Sequence, residues 1–166
     1  TSIISIDLSG LLNLKSIGNS FMSIGNDSYK PKLKTIILSK LSKLTSIGDN
    51  FMNFNTILET IDLSGLSNLT SIDYGFMYKC YGLKTINLSG LSNLTSIGYG
   101  FMNYCNGLET IDLSGLLNLT SIGKDFMKNC KGLKTIYLPE NNKYDEPTKA
   151  MLNIIKRENN IKIIYK

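Results

Sequence analysis

Histidine and tryptophan are absent from this 166-residue chain, and cysteine and proline occur three times each. Without histidine the chain lacks the side chain whose ordinary pKa suits proton transfer near neutrality. No G-x-S-x-G, phosphate-binding loop or paired-carboxylate constellation stands outside the repeat pattern described below. No catalytic residue can be named. Three cysteines cannot pair completely, and at 25-residue intervals they lack the short C-x-x-C-type separations of a metal site. No cofactor or metal is expected. No apolar run approaches the ~20 residues of a membrane-spanning helix, so membrane insertion is not expected either. Charge of one sign is nowhere massed: residues 1–138 hold 12 Lys and 9 acids, residues 139–166 hold 6 Lys/Arg and 4 acids, and the net charge is +5. A nucleic-acid partner would want a basic stripe interleaved with aromatics, and none is present. The opening stretch, TSIISIDLSG, has no initiator Met and no basic-then-apolar leader, and it starts in mid-repeat. The expectation is a piece of a longer protein that continues upstream.

What the chain does have is a period. Units start at Ile3, Leu33, Leu58, Leu83, Leu108 and Leu133; the first step is 30 residues and the others are 25. Each unit follows L-x-x-I-x-L-S-G-L-x-N-L-T-S-I-G-x-x-F-M-x-x-C-x-G with small variations. Self-similarity at 20–50 residues signals a stacked array. Its apolar letters line up in columns, for example Ile6, Ile36, Ile61, Ile86, Ile111 and Ile136, or Leu8, Leu38, Leu63, Leu88, Leu113 and Leu138. If each unit makes one coil, equivalent residues stack at the strand spacing of roughly 4.8 Å. Burying one such side chain contributes roughly 1.5–3 kcal/mol, so a single coil is unstable and a stack is stable.

Local patterns give the elements of the coil. T-I-D-L alternates outward and inward with β-branched residues and predicts a short parallel strand; no hairpin dipeptide separates the copies. L-T-S-I-G predicts a second short extended piece, ended by Gly or Asp at 18, 48, 73, 98 and 123. The F-M-x-x-C segment predicts one turn of α- or 3-10 helix. The extra five residues of the first unit fall in a loop, Ser23–Lys32. After Leu138 the pattern stops. E-P-T-K-A-M-L-N-I-I-K-R-E-N-N predicts a helix opened by Pro147, with Met151, Leu152, Ile154 and Ile155 on its apolar side. Ile161–Tyr165 predicts a closing strand. The fold class is thus an α/β repeat solenoid, an array over 1–138 with a helix-strand cap over 139–166.

These columns resemble the BspA-like, Treponema-type class of leucine-rich repeats. That class reads roughly C-x-x-L-x-x-I-x-L-P…L-x-x-I-G-x-x-A-F-x-x-C. Cys105, Leu108, Ile111, Leu113, Leu119, Ile122, Gly123, Met127 and Cys130 fall on it in order. The chain departs from it in three ways. Phe-Met replaces Ala-Phe, each coil is two residues longer at S-G-L-x-N, and the proline after the strand occurs once, at Pro139. The resemblance implies an arc with parallel strands on one face. It also implies a recognition role, most often in surface-displayed or secreted microbial proteins.

Several outward groups are candidates for contact with a partner. Tyr74, Tyr78, Tyr81, Tyr99 and Tyr104 cluster in the middle coils, off the core columns. Exposed tyrosine is a common interface anchor, and ordinary variation would also place it there. Asp62, Asn87 and Asp112 stand on the strand face, two residues after Thr60, Thr85 and Thr110. A threonine ladder can be an ice-binding face in a solenoid, but the charged and irregular neighbouring column argues against that here. Lys34, Glu59, Lys84, Glu109 and Lys134 alternate in sign just before the threonines, which suits register control between coils. Asn68, Asn93 and Asn118 fit the N-glycosylation pattern, but the repeat itself requires them, and the expectation is that they bond the backbone of their turn. Cys80, Cys105 and Cys130 are expected to line the core, with Asn55 in the same column.

The composite reading is a non-catalytic recognition module for a protein or glycan partner, at the cell surface or secreted. The alternative is an intracellular adaptor, towards which three unpaired thiols lean. Oligomeric state is not legible.

Overall fold

A computed structural model describes residues 4–25, 32–140, 143–158 and 160–166. Ile3 and most of the Ser23–Lys32 loop, which includes a further N-glycosylation pattern at Asn26-Asp27-Ser28, lie outside these residues. Each unit makes one coil carrying two short strands. The first row consists of β1 (Ser5–Asp7), β3 (Thr35–Ile37), β5 (Thr60–Asp62), β7 (Thr85–Asn87), β9 (Thr110–Asp112) and β11 (Thr135–Leu138). The second row consists of β2 (Ser16–Ile17), β4 (Ser46–Ile47), β6 (Ser71–Ile72), β8 (Ser96–Ile97) and β10 (Ser121–Ile122). Pairing is parallel and in register: Ile36 faces Ile61, and Ile61 faces Ile86. Ile111 likewise faces Ile136. Alternation places the isoleucine of β5 inward and its flanking Thr60 and Asp62 half-outward. Leu38, Leu63, Leu113 and Leu138 are fully buried.

Both rows are interrupted once. The first splits into β1-β3-β5-β7 and β12-β11-β9, the second into β2-β4 and β10-β8-β6. Ile86, beside the first break, is only half-buried, although its column partners Ile61 and Ile111 are buried. The second break coincides with a change in the sequence. At Gly98 and Gly123 an added Cβ would come within 2.7 and 2.6 Å of the preceding coil's backbone, and at Gly48 it would collide with Asn19. Close pairing on this row therefore depends on glycine. Asp73 occupies that column in the coil of β6, where the row is broken between β4 and β6.

The F-M-x-x-C segments differ from expectation. They are not helical: every second residue has positive φ, as at Gly75 (68°), Met77 (55°) and Lys79 (59°). A helix would use its N–H groups within the turn. Alternating handedness aims them along the stack, so Met77 N donates to Phe51 O at 2.8 Å and Lys79 N donates to Asn103 O at 2.9 Å. A left-handed non-glycine residue costs about 1–2 kcal/mol. The inter-coil hydrogen bonds and the burial of the adjacent Phe and Met side chains offset it. Phe21, Phe51, Phe76, Phe101 and Phe126 form one continuous ring stack, with centroids 5.1–5.7 Å apart and planes within 12° of parallel.

The thiol column is buried, and each Sγ donates to a methionine carbonyl of the preceding coil: Cys80 to Met52 O (3.3 Å), Cys105 to Met77 O (3.3 Å) and Cys130 to Met102 O (3.1 Å). Asn55 does the same work with its amide, donating to both Met22 O and Met52 O at 2.8 Å. Burial pushes the thiols of Cys80 and Cys130 up to about 12 and raises that of Cys105 as well. The charge column pairs between coils: Lys34 and Lys84 both reach Glu59, at 3.0 and 3.1 Å, and Lys134 reaches Glu109 at 2.8 Å. The asparagine amides of the N-L-T triplets do not bond their own turn. Asn68, Asn93 and Asn118 donate to Ser42 O, Ser67 O and Ser92 O, each one coil back.

After β11 the chain caps the stack. Helix α1 (Glu146–Glu158) covers the last coil, and β12 (Lys162–Tyr165) pairs in parallel with β11 as one more rung. Asp145 caps the helix, its Oδ1 accepting from Thr148 N at 2.8 Å. Leu152 and Ile155 are buried against the array, whereas Ile154, expected on the apolar side, is 52% exposed.

Candidate functional site

The alternating-handed segments place a patch of aromatic side chains side by side on the middle coils. Tyr74 and Tyr99, equivalent residues one coil apart, stack with centroids 5.3 Å apart and planes 3° from parallel. Across from them Tyr78 meets Tyr104 edge-to-face at 5.7 Å and Phe54 edge-to-face at 5.5 Å. Between the two walls runs a groove of about 450 Å³, within the ~300–1,000 Å³ typical of ligand sites. Tyr74 and Tyr99 are exposed, while Tyr78 and Tyr104 are half-buried.

Gly75 and Gly100 line the groove between the walls. In the flanking coils the same column holds Asn50 and Asp125, which also line the groove. Ser20, Asn50 and Asp125 take φ of 57–60° in that column, so side chains are compatible with its backbone. At Gly100 an added Cβ would meet nothing nearer than 4.0 Å. The two glycines open the groove across the middle coils.

The polar groups are tied to one another. Tyr99 donates its hydroxyl to Asp125 Oδ2 at 2.8 Å, and Lys128 Nζ sits 3.2 Å from Asp125 Oδ1. Burial opposes ionisation of Asp125, but the hydrogen bonds from Tyr99 and Lys128 outweigh it and hold the carboxyl below its usual range. The same hydrogen bond to Asp125, reinforced by its charge, raises the Tyr99 phenol. Asn53 Nδ2 donates to Asn50 Oδ1 (2.9 Å), and Asn53 Oδ1 accepts from Tyr78 N (2.9 Å).

Four of the tyrosines singled out in the sequence thus line one groove; Tyr81 does not line it. Asp62, Asn87 and Asp112 do not line it either. Each caps its own turn, accepting from Ser64 N, Ser89 N and Ser114 N at 3.0, 3.2 and 2.9 Å. Asp112 also takes Lys166 Nζ at 3.3 Å. Among the lining residues missed were Gly75, Gly100, Asn53, Asn103, Asp125 and Lys128. The available signal was the tetrapeptide Tyr-Gly-Phe-Met, which stands at 74–77 and 99–102. Among the described residues no group of three or more His, Cys, Asp or Glu is placed to hold a metal, and no helix is long and apolar enough to cross a membrane.

In comparisons with known proteins, a family model described as the BspA type leucine rich repeat region matches residues 15–146, in six copies. No curated protein and no solved structure matches the chain.

Proposed function

Because the chain belongs to the BspA-type leucine-rich repeat family, we propose that it is a non-catalytic recognition module of a surface-displayed or secreted microbial protein. It engages a protein or glycoconjugate partner through the tyrosine-walled groove. The observation that carries this reading is the contrast within one column set. The Ile, Leu and Phe core columns keep the same residue type across the middle coils, whereas positions 74, 75, 99 and 100 change to Tyr and Gly together there. Energy in an interface concentrates in a few aromatic anchors, and here those anchors flank an open groove.

The three unpaired thiols do not favour an intracellular adaptor. All are buried, with pKa values raised, so they are protected from oxidation in either kind of compartment.

The test is capture of binding partners from host-surface extracts by immobilised wild-type protein and by the Tyr74→Ala/Tyr99→Ala double variant. A partner retained by the wild type and lost by the variant supports the reading. Equal retention by both removes the groove from it, and no retention by either removes the module reading altogether. Loss of an epitope tag from intact cells on protease treatment tests surface display.

A further inference from the structure

We propose that the groove between the Tyr74–Tyr99 stack and the Tyr78–Tyr104 pair binds a short neutral oligosaccharide; this deepens the recognition reading above and rests on it.

The charge balance of the groove comes first. Among the described residues that line it, the ionic groups are Asp125 and Lys128, which pair with each other, and Asp125 also accepts from Tyr99. Lys79, outside the lining, is held over the Phe54 and Tyr78 rings at 4.9 and 5.6 Å, so the lining itself leaves no charge over for a phosphate, a sulfate, a uronic acid or a quaternary ammonium. The ring geometry also argues against a cation cage. Tyr74 and Tyr99 turn their faces to each other at 5.3 Å rather than boxing a common centre.

A peptide strand fits no better. Strand addition needs unpaired backbone groups along an edge. Here the backbone of the floor is already used between coils: Gly75 N donates to Tyr99 O at 2.9 Å and Gly100 N donates to Lys124 O at 3.0 Å. An apolar anchor finds little to bury, because the groove surface is more polar than apolar.

What the groove does offer is amides and phenols. The carboxamides of Asn50, Asn53, Asn103 and Asn129 border it; Asn53 bonds Asn50 and Tyr78 N, and Asn129 Nδ2 donates to Asn103 Oδ1 at 3.4 Å, so Asn50 Nδ2 and Asn129 Oδ1 are the amide ends turned to a ligand's hydroxyls. Aromatic rings rise on both sides. A pyranose presents the complementary surface: hydroxyls that both donate and accept around a rim, and C–H groups that pack on the ring edges, since Tyr74 and Tyr99 turn their faces to each other. Asn50 and Asp125 stand at the two ends of the glycine column, so the groove suits a short run of sugar rings lying along the coil axis.

Gly100 supplies the test, because its column accepts asparagine at the required φ (Asn50, 57°) and its Cβ position is open. Gly100→Asn would fill the floor with a residue the array already uses there. Calorimetric titrations at millimolar sugar use neutral hexasaccharides: β-1,4-glucan, α-1,4-glucan, β-1,4-mannan and β-1,4-N-acetylglucosaminide. A sulfated heparin hexasaccharide is the charged comparator. At least one neutral hexasaccharide is expected to bind the wild type and to lose tenfold or more in affinity with Gly100→Asn, at an unchanged circular-dichroism spectrum. Should that variant misfold, Tyr78→Asn, which copies Asn53 and Asn103 of the same column, takes its place with the same expected loss. Overturning results are no neutral hexasaccharide binding, binding untouched by the groove-filling variant, or binding of the sulfated sugar alone. If saccharides fail while a protein partner is captured in a Tyr74/Tyr99-dependent way, the saccharide inference falls and the recognition module stands. If neither binds, both fall.

Discussion

Thr148 substitutes for a rung of backbone opposite Ile122. Its hydroxyl accepts from Ile122 N at 2.8 Å and donates to Ile122 O at 3.4 Å, and the side chain is fully buried. In coils below, such strand groups are paired by the next coil; at the top, one side chain on α1 does it.

Replacing Thr148 with valine keeps the shape and removes both bonds, leaving the Ile122 N–H buried and unsatisfied. A loss of about 1–3 kcal/mol is expected. It would be seen as a lower denaturation midpoint, with faster amide exchange confined to the last coil and the cap. A fall in midpoint with exchange spread evenly over all coils would contradict the capping role.

Asp73→Gly restores the small residue that the close-paired coils use at Gly48, Gly98 and Gly123. The expected outcome is β4–β6 pairing, read as increased protection of amides in residues 70–73. Glycine costs about 0.5–1 kcal/mol in chain entropy, comparable with the ~0.5–1.5 kcal/mol of a regained hydrogen bond. Protection should therefore rise with little change in overall midpoint.

The thiols make stability fall on the alkaline side. An unfolded cysteine ionises near its ordinary 9.0, whereas folded Cys80 and Cys130 ionise near 12. Between those values the unfolded state holds fewer protons than the folded one, so stability drops as pH rises through that window and is unaffected below it. Cys80→Asn, copying Asn55, should reduce the slope. Iodoacetamide at pH 8 should leave all three thiols unmodified in the native protein and label all three in denaturant.

Phe76 sits in the middle of the ring stack and is buried on all sides. Phe76→Ala should cost about 3–5 kcal/mol. Because coils contact only their neighbours, unfolding should lose two-state character as the array divides at that coil. A single sharp transition of unchanged midpoint would show that the stack contributes nothing beyond its coil.

The inward columns were legible because burial selects one residue type per position and the repeat multiplies the signal. Ile36, Ile61 and Ile86 could be placed in register from spacing alone. Asp73 was visible as an exception among glycines, but its effect depended on how near the preceding backbone comes. The F-M-x-x-C segment misled, since apolar residues at i, i+1 and i+4 also suit a chain of alternating handedness. Only the direction of the amides along the stack separates the two. Ile154 could not be told from Ile155 until the helix had a fixed rotation on the last coil. Asp62, Asn87 and Asp112 looked available on the strand face, although each is engaged by a serine two residues on.

The order of residues along the chain by itself determined that equivalent side chains would pile in files, because a coil that cannot bury its own apolar edge must cover it with its copy. The tertiary structure alone decided where the files leave an opening. Gly75 and Gly100 are unremarkable letters until the turns carry Tyr74, Tyr99, Tyr78 and Tyr104 to opposite sides of them. That convergence depends on the backbone's handedness between coils, which the spacing of residue types does not encode.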